Sequence, residues 1–132
     1  MPGYVWDGKL WDFMNRYEGG AIKSIDHVEG SGGPEVHFNM EDGSVVMVYH
    51  DQSCCESVGI DKMDKEDLAM CIGDGPVTFT RTVGSSETFE GTYTFITLQS
   101  QHNNATFSFR GESNGYYSEE ADMKVGVPKK DG

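Results

Sequence analysis

The chain has 132 residues, a formal net charge of −12 and 17 glycines, and 36% of its residues are hydrophobic. This length predicts one domain that buries its own core without disulfides or a structural metal. The charge repels phosphate backbones and anionic membrane surfaces, which argues against direct binding of DNA or RNA. It suits a partner protein with a basic surface, such as the nucleic-acid groove of another protein.

The cysteine count and the first residues indicate the compartment. There are three cysteines, an odd number, and Met1 to Tyr4 carry no basic flank or apolar run typical of a signal peptide. We therefore expect a reducing cytoplasm. No apolar run approaches the roughly 20 residues that a bilayer-spanning helix needs, so we expect a soluble protein.

The first 50 residues predict a helix followed by strands. The apolar residues at helical spacing are Leu10, Phe13, Met14 and Tyr17. A strand is expected over 22–28, followed by a glycine-rich loop. Residues 35–40 alternate between polar and apolar, Asp42-Gly43 is typical of a tight turn, and residues 45–50 return as the second strand of a hairpin.

The middle of the chain predicts a short strand over 55–60 and a second helix over 61–71. Asp61 or Asp64 is available as the N-cap of this helix, and further acidic residues follow in its first turn.

The second half of the chain predicts strands. Alternating patterns favour strands over 77–83, 92–98, 105–110 and 116–123, and residues 124–132 are expected to form a flexible polar tail. The predicted fold is a single α+β domain over residues 1–123, mainly antiparallel. It takes the form of a twisted sheet or small open barrel with one or two short helices.

One stretch gathers side chains that bind metals, attack electrophiles or move protons. It contains His50, Asp51, Cys54, Cys55 and Glu56 within seven residues. In a first interpretation, His50, Asp51, Cys54 and Cys55 supply ligands to zinc or iron. The spacing matches no standard zinc finger, and adjacent cysteines in a strand point to opposite faces.

Two other interpretations of this stretch remain open. In the second, Cys54 is a nucleophile, His50 is its base, and Asp51 or Glu56 orients the base, although such groups usually converge from different elements. In the third, one cysteine packs as a small apolar residue while the polar side chains bond the backbone of a bend.

A second unusual stretch is rich in tyrosine. Asn114-Gly115 is a hairpin-turn signal, so the stretch can be a plain β-turn. Tyrosine combined with Ser, Asn and Gly is also typical of recognition loops. The candidate binding residues are Glu112, Ser113, Asn114, Tyr116 and Tyr117.

Both stretches resemble motifs of a family of short uncharacterised phage and prophage proteins. The resemblance is carried by residues 41–43, 50–58 and 111–119, in this order and spacing. The chain differs from the family pattern at Ser53, where the family has Asp. It differs again at residues 93–96, where a Trp-Thr-Phe-Tyr sequence is usual.

The resemblance implies a viral origin and a setting in the host cytoplasm. Small acidic phage proteins in that setting are often inhibitors of host defence. We therefore expect a non-enzymatic protein of the anti-CRISPR or other anti-defence type, which binds and inhibits a host defence component through its acidic surface and its Tyr-rich loop. The alternative is a metal- or thiol-dependent enzyme, or a small-ligand-binding protein, centred on the stretch that contains His50, Cys54, Cys55 and Glu56. The sequence leaves open whether the chain forms a homo-oligomer.

Overall fold

The fold consists of two antiparallel sheets that pack face to face. The computed structural model describes residues 4–7, 16–30, 33–50, 57–85, 92–112 and 121–128. In spatial order, sheet A contains β1 (Tyr4–Asp7), β10 (Asp122–Pro128), β5 (Val45–Tyr49), β4 (Gly33–Met40) and β3 (Ile22–Gly30). Sheet B contains β2 (Arg16–Glu18), β7 (Thr78–Ser85), β8 (Thr92–Gln99), β9 (Asn104–Glu112) and β6 (Ser57–Lys62).

The core lies between the sheets because alternate residues of each strand point inward. In β4, Val36, Phe38 and Met40 are buried, and their neighbours are only partly covered. The ring centroid of Phe38 lies 5.1 Å from that of Phe79 on β7 and 6.0 Å from that of Phe107 on β9. Apolar burial across this interface is the main source of stability of such a sandwich.

The predicted hairpin is confirmed. β4 and β5 are antiparallel neighbours, with Val36 opposite Val48 and Phe38 opposite Val46. Gly43 has a φ of 92°, a left-handed conformation that glycine adopts without steric cost. The carboxylate of Asp42 accepts hydrogen bonds from the Ser44 hydroxyl at 2.6 Å and the Ser44 amide at 2.8 Å, which closes the turn.

The second predicted helix is present but shorter than expected. Helix α1 covers Lys65–Met70 and is the one helix within the described ranges. Asp64 is its N-cap, and Asp64 Oδ1 accepts hydrogen bonds from the amides of Glu66 and Asp67. Asp61 lies instead in β6, at a register shift opposite β9. Leu68 is the buried residue by which α1 joins the core.

The first predicted helix, which was expected to include Tyr17, is wrong at that residue. Tyr17 lies in β2 and is paired with Phe79 of β7, and the two ring centroids are 6.3 Å apart. Here, pairing with a long strand and contact with the core decide the local conformation, because both outweigh a weak helical pattern. The remainder of the predicted helix, 10–15, falls in a part of the chain that the structure leaves undescribed.

The C-terminal strand begins and ends later than expected. Residues 124–128, expected to start a flexible tail, belong to β10, which lies between β5 and β1. Met123 is buried while Lys124 faces outward, with its Nζ 4.6 Å from the ring centroid of Tyr49. This alternation and the pairing on both sides explain why the segment forms an interior strand of sheet A.

The fold class is confirmed as mainly antiparallel β with a short helix, and the described strands form two sheets that do not close into a barrel. Within the described residues, no helix is both long and apolar enough to cross a membrane.

Candidate functional site

The two unusual sequence stretches begin and end at the same side of the sandwich. Residues 50–56 connect β5 of sheet A to β6 of sheet B, and residues 113–121 connect β9 of sheet B to β10 of sheet A. In sheet A, Tyr49 is opposite Asp122, and in sheet B, Ser57 is opposite Glu112. The strand ends that flank residues 50–56 therefore lie beside the strand ends that flank residues 113–121. We call this side of the molecule, where β5, β6, β9 and β10 meet the two connections, the loop end.

Contacts between the sheets show that their ends coincide there. An added Cβ at Gly33, the first residue of β4, would lie 3.2 Å from the carbonyl oxygen of Val58, the second residue of β6. Next to β10, the amide of Ala121 donates to Thr94 Oγ1 of β8 at 3.0 Å. Arg81 Nη1 of β7 donates to the carbonyl oxygen of Ala121 at 3.4 Å. These bonds fix the start of β10 against sheet B.

The connections that begin and end at the loop end are acidic in sequence. The β3–β4 and β7–β8 turns lie there too, because Gly30 pairs with Gly33 and Ser85 with Thr92. Residues 29–35, 50–57, 85–92 and 112–122 hold ten of the 22 Asp and Glu residues and none of the ten Lys and Arg residues. The ten are Glu29, Glu35, Asp51, Glu56, Glu87, Glu90, Glu112, Glu119, Glu120 and Asp122.

Of the candidate site residues, the structure describes two. His50 directly follows β5 and is buried, with 4% of its surface exposed. Glu112 is the last residue of β9. Asp51, Cys54, Cys55, Glu56, Ser113, Asn114, Tyr116 and Tyr117 all lie outside the described residues.

The metal interpretation depends on positions that the structure does not describe. Within the described ranges, no group of three or more His, Cys, Asp or Glu side chains is placed to hold a metal ion. Cys71, the cysteine that the structure does describe, is a buried free thiol and packs in the core beside Leu68. A buried structural cysteine of this kind is inert.

A polar network at the opposite end of the molecule was not predicted from the sequence. It joins the loop after α1 to the β8–β9 turn, through the carboxylate of Asp74. Ser100 Oγ lies 2.6 Å and Asn103 Nδ2 3.0 Å from Asp74 Oδ2, and the backbone amide of His102 donates to the same oxygen at 2.8 Å. His102 Nδ1 lies 2.9 Å from Asp74 Oδ1.

This network contains Ser, His and Asp but does not have the geometry of a catalytic triad. In a triad, the serine donates to the histidine and the histidine donates to the aspartate. Here both Ser100 and His102 face Asp74, so the serine hydroxyl has no imidazole base. Ser100 Oγ also lies 3.0 Å from the carbonyl oxygen of Asn103 within the turn. The network holds a turn in place and does not activate a nucleophile.

Two carboxylates have lowered pKa values for the same physical reason. Hydrogen bonds from the hydroxyl of Ser100 and then from His102 stabilise the ionised form of Asp74 and hold its pKa far below the usual range. The Ser44 hydroxyl and amide lower the pKa of Asp42 in the β4–β5 turn. Both groups lie in turns, so the shifts report structural bonding. The signal that could have predicted them is an Asp beside glycine or before a small polar residue.

A pair of ionisable groups also lies on the outer face of sheet A. His37 Nε2 is 3.0 Å from Glu35 Oε1, and both side chains are largely covered. Next to them, Asn39 Nδ2 donates to Asp26 Oδ2 at 2.8 Å. Glu35 is close to the loop end. The polar side chains of Glu35, His37 and Asn39 therefore continue from that end along the outer face of sheet A.

Comparison with known proteins identifies the domain. A family model, described as a domain of unknown function (DUF7448), matches residues 20–123. The chain belongs to this family. The matched region of the DUF7448 domain runs from the residues before β3 to the second residue of β10, and it includes both connections of the loop end.

The comparison with curated proteins gives no match, and none of the solved structures matches the DUF7448 chain.

Proposed function

We propose that this DUF7448 protein is a non-enzymatic phage accessory protein that binds and inhibits a component of host defence. The loop end is its binding surface, and the partner presents a basic surface there. What supports the proposal is that four connections leave and re-enter the sheets at the loop end, and that their sequences hold ten acidic and no basic residues.

Electrostatics explain how such an end recognises its partner. Many carboxylates at one end of a molecule create a negative potential that steers a basic surface toward it. A groove that binds nucleic acid is lined with Lys and Arg, so a dense set of carboxylates competes with the phosphate backbone for it. The tyrosines of the 113–121 connection supply contact area at low entropic cost. Occupation of the groove then blocks the defence effector.

The test removes charge at the loop end and compares the loss with the same change elsewhere. The protein is used as bait in lysate of a bacterial host to identify the partner, and affinity is then measured by calorimetry with both proteins purified. Glu119→Gln/Glu120→Gln is expected to weaken binding about tenfold, because two carboxylates of the interface lose their charge. The control variant, Glu41→Gln/Glu66→Gln, removes two exposed carboxylates away from the loop end and should bind within about twofold of wild type.

Salt dependence and phage growth complete the test. Affinity should fall steeply between about 50 and 500 mM NaCl, since the attraction between surface charges is screened. Expression in a host that restricts a phage should raise the plating efficiency of that phage, and the loop-end variant should lose this effect. Affinity that is flat across this salt range, or equal loss in the two variants, would contradict the proposal.

A second candidate function is metal- or thiol-dependent chemistry at the loop end. It is favoured by one observation: Ser57, which follows Glu56 directly, pairs with Glu112, so the backbone of Glu112 in the second stretch lies beside the end of the first. Elemental analysis of the purified protein tests it. About one equivalent of zinc or iron, lost in Cys54→Ser but kept in Cys71→Ser, would favour this candidate over the binding protein. The absence of metal, together with a Cys54 pKa near 8.5, would remove it.

A further inference from the structure

Strand β3 is an edge strand of sheet A as far as the structure describes the chain. Within the described residues, the outer edge of β3 is covered only at its beginning, where Ile22 forms an isolated bridge with Ile72 and accepts a hydrogen bond from the Gly73 amide. From Ile25 to Gly30, β3 has β4 on one side and no described strand on the other. A strand edge of this length is a template for pairing with another extended chain.

An apolar notch opens beside this edge. It lies between the inner face of β3 and helix α1 and has a volume of about 190 Å³. Its lining residues are Ile25, His27, Val36, Met63, Lys65, Leu68, Ala69 and Ile72. Ile25 and His27 point to the inner face because they are opposite Phe38 and Val36. Met70, which is 59% exposed, adds apolar surface outside the notch.

The size of the notch limits what enters it. A cavity of about 150 Å³ lined by aliphatic side chains holds one benzene molecule. The notch therefore accepts one side chain of the size of Leu or Phe. An added strand on β3 would point every second side chain to the side on which Ile25 and His27 lie.

We propose that an extended peptide segment of a partner protein adds to the open edge of β3 and inserts one apolar side chain into the notch. Its backbone pairs with residues 25–30, and the inserted side chain packs on Leu68 and Ile25. The next side chains of the peptide point to the outer face, beside Asp26. Strand addition combines backbone bonds for affinity with a pocket for specificity.

Charge selects a basic peptide over a second copy of this chain. Asp26 and Glu29 are exposed on β3, and the whole molecule carries −12. Antiparallel pairing of two β3 edges would bring these carboxylates of two molecules close together, and the net charges would add to the repulsion. A peptide with Lys or Arg on its outward-facing positions gains attraction instead. This site runs along β3 and reaches the loop end at Glu29 and Gly30, but its notch lies beside α1 and the inference does not depend on the function proposed above.

The test uses a capped seven-residue probe peptide of sequence Lys-Thr-Lys-Leu-Lys-Thr-Lys, titrated into the full-length protein and followed by amide NMR shifts. The largest shifts are expected on β3 from Ile25 to Gly30 and on α1. The same peptide with Ala in place of Leu should bind about tenfold more weakly, because it leaves the notch unfilled at unchanged charge. A peptide with Pro in place of both Thr residues should bind least, since Pro cannot donate to a β-ladder.

Protein variants give an independent check. Ala69→Phe fills the notch from an exposed position of α1 and should weaken binding of the Leu peptide about tenfold. Met70→Phe places the same ring at the next position, which does not line the notch. This variant should bind the Leu peptide as tightly as wild type does. Circular dichroism establishes that both variants fold. Equal binding of the Leu and Ala peptides, shifts outside β3 and α1, or a dimer through β3 in sedimentation would overturn the proposal.

Discussion

Asp74 is the residue whose bonding depends most clearly on its ionised form. Its carboxylate accepts from Ser100, His102 and Asn103, which ties the β8–β9 turn to the loop after α1. Because the pKa of Asp74 is lowered by folding, the carboxylate stabilises the folded state at neutral pH. This contribution is complete above the unfolded-state pKa, near 3.9, and is lost as the pH falls from there toward the lower folded-state pKa.

Asp74→Asn is therefore expected to lower Tm by a few degrees at pH 7. It replaces an ionised acceptor with a neutral amide that donates where four donors converge. The difference in Tm between wild type and the variant should shrink as the pH is lowered below about 4. Thermal melts at a series of pH values measure it, and Asp61→Asn, an exposed carboxylate of β6, is the control. A difference that stays constant from pH 7 to the acid limit of folding would contradict this role.

At the scale of elements, α1 depends on its cap because it has only six residues. Short helices are unstable alone, so α1 forms through the Asp64 cap and the burial of Leu68. Asp64→Ala removes the acceptor of the Glu66 and Asp67 amides and should cost about 1 kcal/mol in the free energy of unfolding. Urea denaturation measures the loss. Asp64→Ser, which retains a capping oxygen, should restore most of it, and a Ser variant as unstable as the Ala variant would contradict the capping role.

The sequence predicted those elements whose signals are local. Alternation together with Asp42-Gly43 identified the hairpin, and alternation identified β7, β8 and β9, since a strand with one buried face repeats every two residues. Signals that depend on distant partners were missed. Tyr17 is in a strand because β7 lies beside it, and residues 124–128 are in a strand because β5 and β1 flank them. No local pattern contains that information.

The candidate site was likewise predicted only in part from local signals. Residue types identified both stretches, 50–56 and 112–119, as unusual, but spacing along the chain could not place them together. Their adjacency arises from the topology: β5 and β10 are neighbours in sheet A, and β6 and β9 are neighbours in sheet B. The Asp74 network was missed for a related reason, because its members are about 26 to 29 residues apart along the chain.

At the scale of the molecule, stability depends on the contact between the two sheets, and the phenylalanines test it. Phe38 is fully buried and contacts rings of both β7 and β9, so it joins sheet A to sheet B. Phe95 lies on the outer face of sheet B, is 38% exposed and stacks on Tyr93 with ring centroids 5.9 Å apart. The two residues have the same side chain and differ in whether it bridges the sheets.

Phe38→Ala should therefore lower the free energy of unfolding by about 3 to 5 kcal/mol, because it removes the apolar contact and leaves a cavity between the sheets. Phe95→Ala should cost about 1 kcal/mol, the size of an exposed aromatic pair. Urea denaturation of both variants measures the difference. If Phe38→Ala were too unstable to fold, Phe38→Leu, which retains most of the apolar volume, should fold with an intermediate loss. Equal losses at positions 38 and 95 would mean that the two sheets do not share a core. The loop end would then have no structural basis, because it requires that the two packed sheets end at the same place.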